Sequence, residues 1–272
     1  MLTNGPLVRE LEQTMAERLG VRHVVAVSGC TSGLMLAIRA LEPAGPVLLP
    51  SFTFSASAHA VAWNGLDRRF AECSADSFQL DLRDATERLE GVGAVMATHV
   101  FGAPCAPRAV EELGARAGVP VIFDAAHALG ALHHGVPVGG FGDAEVFSMS
   151  PTKPVVAGEG GLVATNRDDV AQAVRMGRDY GNPGDYDTRF VGLNARLSEL
   201  HAAVALESVA ELDEHLAVRS ALAHRYSDGL RDVAGIFFQT FDAADRHTWK
   251  DLTVRVDPAH FGCSRDVLVR AL

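Results

Sequence analysis

The chain has 272 residues, of which 48% are hydrophobic, and its formal net charge is −10. That size can bury a large core, and the acidic balance argues against a nucleic-acid binder. No run approaches the roughly 18 consecutive apolar residues of a membrane-spanning helix, and the N-terminus lacks the charged and apolar regions of a signal peptide.

Segment 7–18 has helical spacing, and 23–27 is an apolar run with the character of a buried strand. The turn from Ser28 to Gly33 then opens an apolar helix over 32–41. Small and hydroxyl residues at a helix N-terminus suit a phosphate, because free N–H groups and the helix dipole both favour an anion. Taken alone, such a turn is equally explained by capping. It is neither a Walker loop, which needs a lysine, nor a dinucleotide fingerprint.

A second strand, 47–49, leads into Pro50-Ser51-Phe52-Thr53-Phe54 and a helical run. Phe54 there either faces a crevice or packs in the core. Further on, 83–89 and 108–117 are predicted helices and 94–99 a strand. The apolar run 119–123 ends in Asp124, followed by Ala125-Ala126-His127. Side chains at the carboxyl ends of strands line the ligand crevice of an open α/β sheet. An aspartate there can hold a pyridinium nitrogen protonated, which makes the ring an electron sink. Alternatively Asp124 is a helix N-cap or turn residue and His127 a packed histidine. His133-His134 has the look of a polar hairpin. Neither HExxH nor HxxxH occurs, and no metal is expected.

The predicted strand 144–147 runs into Ser148-Met149-Ser150-Pro151-Thr152-Lys153, then Gly158-Glu159-Gly160-Gly161 and a strand over 162–165. A lysine among apolar neighbours at a sheet end is the residue type a Schiff base requires, since burial lowers its pKa and frees the amine. Ser148 can offer a hydroxyl beside it or simply serve the turn. Helix 168–176 follows. Asn194, in Gly192-Leu193-Asn194, precedes a long predicted helix over 198–230 and by itself suggests an N-cap. Segment 251–257 reads as a strand, and 261–268 begins a last helix. The 26 glycines and 12 prolines punctuate alternating strands and helices, as in an α/β fold with a mostly parallel sheet. Four scattered cysteines, Cys30, Cys73, Cys105 and Cys263, form no CxxC pair and fit a reducing cytoplasm.

Together these motifs resemble the DegT/DnrJ/EryC1/StrS sugar aminotransferases, along nearly the whole chain. The likeness rests on Thr3-Asn4-Gly5-Pro6, the 28–33 turn, Pro50 to Phe54, Asp124 to His127, Ser148 to Lys153 with its Gly-Glu-Gly-Gly, and Gly192 to Arg196. It implies a fold-type-I, pyridoxal-phosphate-dependent transferase with a mostly parallel seven-stranded sheet flanked by helices. It further implies a large cofactor-binding domain over 1–235 and an incomplete α+β small domain over 236–272. By this resemblance Lys153 would capture the cofactor aldehyde and Asp124 would hold the pyridine nitrogen. Phe54 would stack on the ring, and His127 would lie beside it. Cys30 (through its backbone), Thr31 and Ser148 would bind the phosphate. Asn194 would reach the phosphate of a neighbouring subunit's cofactor, which implies a homodimer with shared sites.

The implied reaction is ping-pong transfer of an amino group from glutamate or glutamine to a ketone of a nucleotide-linked deoxysugar, or of a cyclitol. Lys153 speaks against the related 3-dehydratases, where a histidine replaces the lysine. An anionic substrate of this kind needs local cations against the chain's own field, and Arg178, Arg189, Arg196 and Lys250 are candidates. Family members run roughly a hundred or more residues longer; the N-terminal lead and most of the small domain are expected to be missing here. That motivates a rival expectation, a cofactor-binding paralogue that acts as a partner or regulatory subunit. A nicotinamide dehydrogenase is disfavoured because no GxGxxG follows the first strand.

Overall fold

The structure, a computed structural model, describes residues 2–185 and 187–272. In chain order its first half comprises α1 (Pro6–Leu19), β1 (His23–Val27), α2 (Cys30–Leu41), β2 (Val47–Pro50), α3 (Ser55–Trp63), β3 (Arg68–Ala71), α4 (Leu82–Glu87), β4 (Ala94–Thr98), α5 (Pro107–Ala117) and β5 (Val121–Asp124). The rest comprises β6 (Leu132–His133), β7 (Val136–Pro137), β8 (Ala144–Ser148), β9 (Gly161–Thr165), α6 (Asp168–Gly177), α7 (Glu199–Ala210), α8 (Leu212–Leu230), β10 (Ile236–Phe238), β11 (Val254–Val256), α9 (Pro258–Phe261) and α10 (Arg265–Ala271).

Seven strands form one sheet in the order β1-β9-β8-β5-β4-β2-β3. β9 pairs antiparallel with both neighbours, and the other pairings are parallel. Six strands therefore end at one edge, and the turn that enters β9 lies at that same edge. Apart from the edge strand β3, the strands read as near-continuous apolar runs because both faces are covered. Val24, Ala26, Leu48, Val95, Ala97, Phe123, Phe147 and Leu162 pack in one core with α1, α5, α7 and α8. Their neighbours Val25, Val27, Leu49, Met96, Ile122, Val146 and Val163 pack in a second core with α2, α3 and α6. The two-residue alternation of a strand divides the runs between two layers of helices.

The N-terminal motif is held by a residue far along the chain. The Glu199 carboxylate accepts from the backbone N–H groups of Gly5 (2.8 Å), Leu7 (2.9 Å) and Val8 (3.1 Å). It satisfies donors that the start of α1 would otherwise leave unpaired, and its charge suits the helix dipole. A Cβ on Gly5 would lie 2.6 Å from the Glu199 Cδ, so no larger residue fits without movement.

Three features depart from the sequence expectation. The long helix over 198–230 is two helices broken at Glu211, which has φ −93° and ψ −2°. After the break Leu212 and Leu216 pack against Gly130, where a Cβ would come within 2.6 Å of Leu216 Cδ1. No proline or glycine marks the break, so the sequence offers no signal for it. The edge strand β3 went unpredicted because Arg68 and Arg69 obscure its pattern; charge is a common protection for an edge. Asn194 is not an N-cap, for Ser198 caps α7 by accepting from His201 N–H at 3.2 Å.

After α8 the chain forms a separate ribbon, β10 antiparallel to β11, and then α9 and α10, neither of which has a buried residue. Between the ribbon strands a strap returns to the main body. Gln239 Nε2 donates to the Ser77 carbonyl at 2.8 Å, and Thr248 Oγ1 donates to the His127 carbonyl at 2.6 Å. Among the described residues no helix is long and apolar enough to cross a membrane.

Candidate active site

The strand ends converge on a cavity of about 520 Å³. β1 delivers the turn into α2, so Cys30 and Thr31 bring the first N–H groups of a twelve-residue helix to its wall. Gly161 makes this approach possible. A Cβ there would lie 2.7 Å from both Cys30 N and the Gly29 carbonyl carbon. β5 ends in Asp124, β8 ends in Ser148, and the following turn carries Lys153; all three line the cavity, as do Phe54 and His127. Seven of the eight residues expected from sequence thus share one wall system. Asn194 does not: it is exposed, and its Oδ1 accepts from Arg196 Nη2 at 3.2 Å.

Asp124 is 3% exposed, and each of its oxygens accepts a hydrogen bond. Ser57 Oγ donates to its Oδ2 at 2.6 Å, and Ala126 N–H donates to its Oδ1 at 3.1 Å. Thr53 Oγ1, 2.7 Å from Ser57 Oγ and 3.1 Å from Thr98 Oγ1, continues the chain of hydroxyls. Burial raises the carboxyl above its ordinary pKa, while Ser57, Ala126 and Lys153 oppose the rise. An anion enclosed this way is stabilised by a nearby cation.

Lys153 is half-buried. Desolvation lowers its pKa, and the charge of Lys250 lowers it further, against the opposing pull of Cys30, Asp124 and Asp251. Both effects favour the neutral, nucleophilic amine. The His127 pKa is pushed down to about 4, first by burial and then by Lys153 and Lys250. Its ring is therefore neutral at pH 7, and its Nδ1 accepts from Phe101 N–H at 3.2 Å. Phe101 reaches that position with φ +58°, a left-handed conformation uncommon for a large residue. Desolvation and Asp124 raise the Cys30 thiol well above its ordinary value, so it stays protonated. Phe54 presents its ring to solvent at 74% exposure.

Of the four candidate cations, Lys250 lines the cavity, and its Nζ lies 2.9 Å from both Asp251 oxygens. Arg178 is buried away from it, donating to the Ala26 carbonyl at 2.7 Å and paired with Glu12. Arg196 pairs with Asp179 at 2.8 Å, and Arg189 with Asp185 at 2.7 Å. Tyr186, in the loop with Arg189, lies outside the described residues. Sequence reasoning missed Ser57, Glu159 and Asp251. Nothing in the helical run after Phe54 distinguishes Ser57 from a routine polar residue.

The sequence pattern that defines the DegT/DnrJ/EryC1/StrS aminotransferases matches residues 1–272. The chain belongs to the DegT/DnrJ/EryC1/StrS aminotransferase family. Members of the family are pyridoxal-phosphate-dependent aminotransferases. GDP-perosamine synthase of Caulobacter vibrioides is 31% identical over 98% of this chain and 74% of its own length. The crystal structure of DesI, determined in the presence of its TDP-sugar product, superposes with a TM-score of 0.93 at 36% identity, over 99% of this chain and 69% of DesI. DesV of S. venezuelae, in complex with a ketimine intermediate, gives a TM-score of 0.93 at 32% identity, over 98% of this chain and 72% of DesV. The seven-stranded sheet is thus that of the DegT/DnrJ/EryC1/StrS enzymes, and the cavity lies at the carboxyl edge of its strands.

Proposed function

We propose that this member of the family binds pyridoxal phosphate at the strand-end cavity and moves an amino group from glutamate or glutamine to a keto group of a nucleotide-linked deoxysugar or cyclitol. The convergence of Lys153, Asp124 and the α2 N-terminus on one cavity carries the reading. Three features of the chain fit the cofactor. A helix N-terminus approached closely through Gly161 suits its phosphate. A carboxylate whose charge burial disfavours would be stabilised by a protonated ring nitrogen beside it. An amine with a lowered pKa suits its aldehyde.

When bound, pyridoxal phosphate supplies a carbonyl that captures amines and a ring that takes up the electron pair left when a proton departs. The chain's own residues do the rest. Lys153 Nζ would hold the aldehyde at rest, with loss of water, and, once freed by the donor amine, would take the proton from the carbon that bears that amine. The same nitrogen later delivers a proton to the carbon that accepts the amine. Asp124, oriented by Ser57 and Ala126, keeps the ring nitrogen protonated. Phe54 offers a stacking face, and the neutral His127 ring lies beside it. Cys30 N–H, Thr31 and Ser148 hold the phosphate, and Lys250 faces the anionic substrate.

In the same reading Asn194 serves the neighbouring subunit of a homodimer, which its exposure permits. Residues 1–235 would then make up the large domain, and 236–272 would belong to a small one. Gly235, at φ +80°, precedes the ribbon whose two strands pair only with each other. A cytoplasmic location accords with the four free cysteines. The rival reading of a non-catalytic paralogue is not favoured, because the family pattern spans the chain and Lys153, Asp124 and Thr31 are all present.

The test is the visible absorption of the purified protein with pyridoxal phosphate, before and after glutamate or glutamine is added. The expected result is a visible band that bleaches with donor and is absent from Lys153→Ala. No band would overturn the assignment of the cofactor. A band unchanged by either donor would overturn the assignment of the donor.

A further inference from the structure

The strap over 242–251 meets the β6–β7 hairpin where Arg246 pairs with Leu132. We propose that His133, His134, Asp245 and Asp242 form a site for a divalent transition-metal ion of the zinc class, separate from the cavity described above. One ligand atom from each of His133, His134 and Asp245 lies within 4.8 Å of the other two. His133 Nδ1 is 2.8 Å from Asp245 Oδ1, and His134 Nε2 is 2.9 Å from Asp242 Oδ2. His134 Nε2 is also 4.0 Å from Asp245 Oδ1.

The hairpin is built so that the two rings share one side. Adjacent strand residues point to opposite faces, yet the rings of His133 and His134 lie 4.3 Å apart, tilted by 31°. The cause is backbone conformation: His134 has φ +49° and Gly135 φ +82°, both left-handed, as in a two-residue hairpin turn. The first place in such a turn normally holds Asn, Asp or Gly, which tolerate positive φ. Histidine is among the few non-glycine types enriched at positive φ, so the turn accepts His134 and sets its ring beside that of His133. The carboxylate between the rings is built in as well. The Asp245 side chain is 1% exposed and also accepts from His134 N–H at 3.1 Å.

Two imidazoles and two carboxylates are a donor set for zinc, cobalt or nickel rather than for calcium or magnesium. Tetrahedral zinc, with bonds of about 2.0–2.2 Å, sets its donors roughly 3.3–3.6 Å apart. The observed spacings bracket that range, and His134 and Asp242, both about half exposed, are free to close the remainder. Sequence spacing hid the site, because the aspartates come from a distant strap and no HxxxH or CxxC pattern announces them.

Such an ion would tie the hairpin to the strap that carries Lys250. Arg246 already pairs with Leu132 through both backbone groups (2.9 and 3.1 Å). Lys250 N–H donates to the Phe101 carbonyl at 3.1 Å. The ion would therefore stabilise the strap without touching substrate.

The experiment is a titration of the pyridoxal-phosphate-loaded full chain with Zn(II) by calorimetry and with Co(II) by visible absorption. One equivalent should bind, with Co(II) d–d bands and no thiolate charge-transfer band. His134→Ala and Asp242→Ala, both at exposed positions, should each weaken binding by about tenfold or more, and metal should raise the Tm of the parent protein but not of these variants. Absence of saturable binding, a thiolate band, or unchanged affinity in His134→Ala would each overturn the site.

Discussion

Ser57 Oγ donates a 2.6 Å hydrogen bond to Asp124 Oδ2 inside the protein, joining the first turn of α3 to the end of β5. The serine is fully buried. Its bond lowers the pKa of a carboxyl that burial raises, and so helps keep Asp124 ionised. A hydrogen bond to a charged group is worth about 1.5–3 kcal/mol. Ser57→Ala should therefore weaken cofactor binding roughly tenfold to a hundredfold, measured by equilibrium titration of cofactor fluorescence. Ser57→Thr, which keeps the hydroxyl, should retain most of the affinity. Equal affinities for all three proteins would count against a role for Asp124 in holding the ring nitrogen.

The charges around Lys153 give a prediction with a sign. Lys250 lowers the Lys153 pKa and Asp251 raises it. Capture of pyridoxal phosphate requires the neutral amine, so its pH dependence should have an inflection below that of an ordinary lysine. Lys250→Met removes a neighbouring cation and should move that inflection to higher pH. Asp251→Asn should move it lower. Shifts of the same sign in both variants would show that Lys153 does not respond to this pair.

Gly161→Ala tests the phosphate cradle. The added methyl would meet backbone atoms of Gly29 and Cys30 rather than a flexible side chain. The start of α2 must then move away from the strand end. Cofactor affinity should fall by at least about tenfold, alongside a loss of stability of about 1–3 kcal/mol, typical of overpacking. The comparison requires both a cofactor titration and a denaturant curve, and an unchanged affinity would remove Gly161 from the cradle.

Acid stability depends on His99, which lies under the sheet edge stacked on Phe123 with ring centroids 5.2 Å apart. Burial pushes its pKa down to about 3. The unfolded chain binds this proton near pH 6.5 and the folded chain does not, so His99 lowers stability progressively as pH falls from about 6.5 towards 3. One such group contributes a slope of about 1.4 kcal/mol per pH unit inside that window. His127 and His247 act in the same direction, whereas the raised carboxyls of Asp124 and Glu145 act in the opposite one. The difference between proteins is therefore the clean measure. In His99→Gln, whose amide oxygen can still accept from Cys105 N–H, the fall in unfolding free energy between pH 6 and 4.5 should be shallower by about that slope. Parallel curves would show that His99 is protonated in the folded state.

The sequence by itself determined the alternation of strand and helix and the parallel character of most of the sheet. It also marked the places where chemistry sits at strand ends. Apolar runs such as 23–27 and 144–147 stay legible because both faces of a covered sheet demand hydrophobic residues. Lys153, Asp124 and the 28–33 turn stand out because each is a polar interruption at the end of such a run. Tertiary structure alone decided what depends on segments far apart in the chain. Ser57 became a partner of Asp124, Glu199 became the cap of α1, and Arg178 turned inward to the Ala26 carbonyl. The same holds for the break at Glu211 and for the meeting of His133 and His134 with Asp245. Local pattern records what one segment needs from its surroundings; a hydrogen bond or a ligand set between distant segments leaves no period in either.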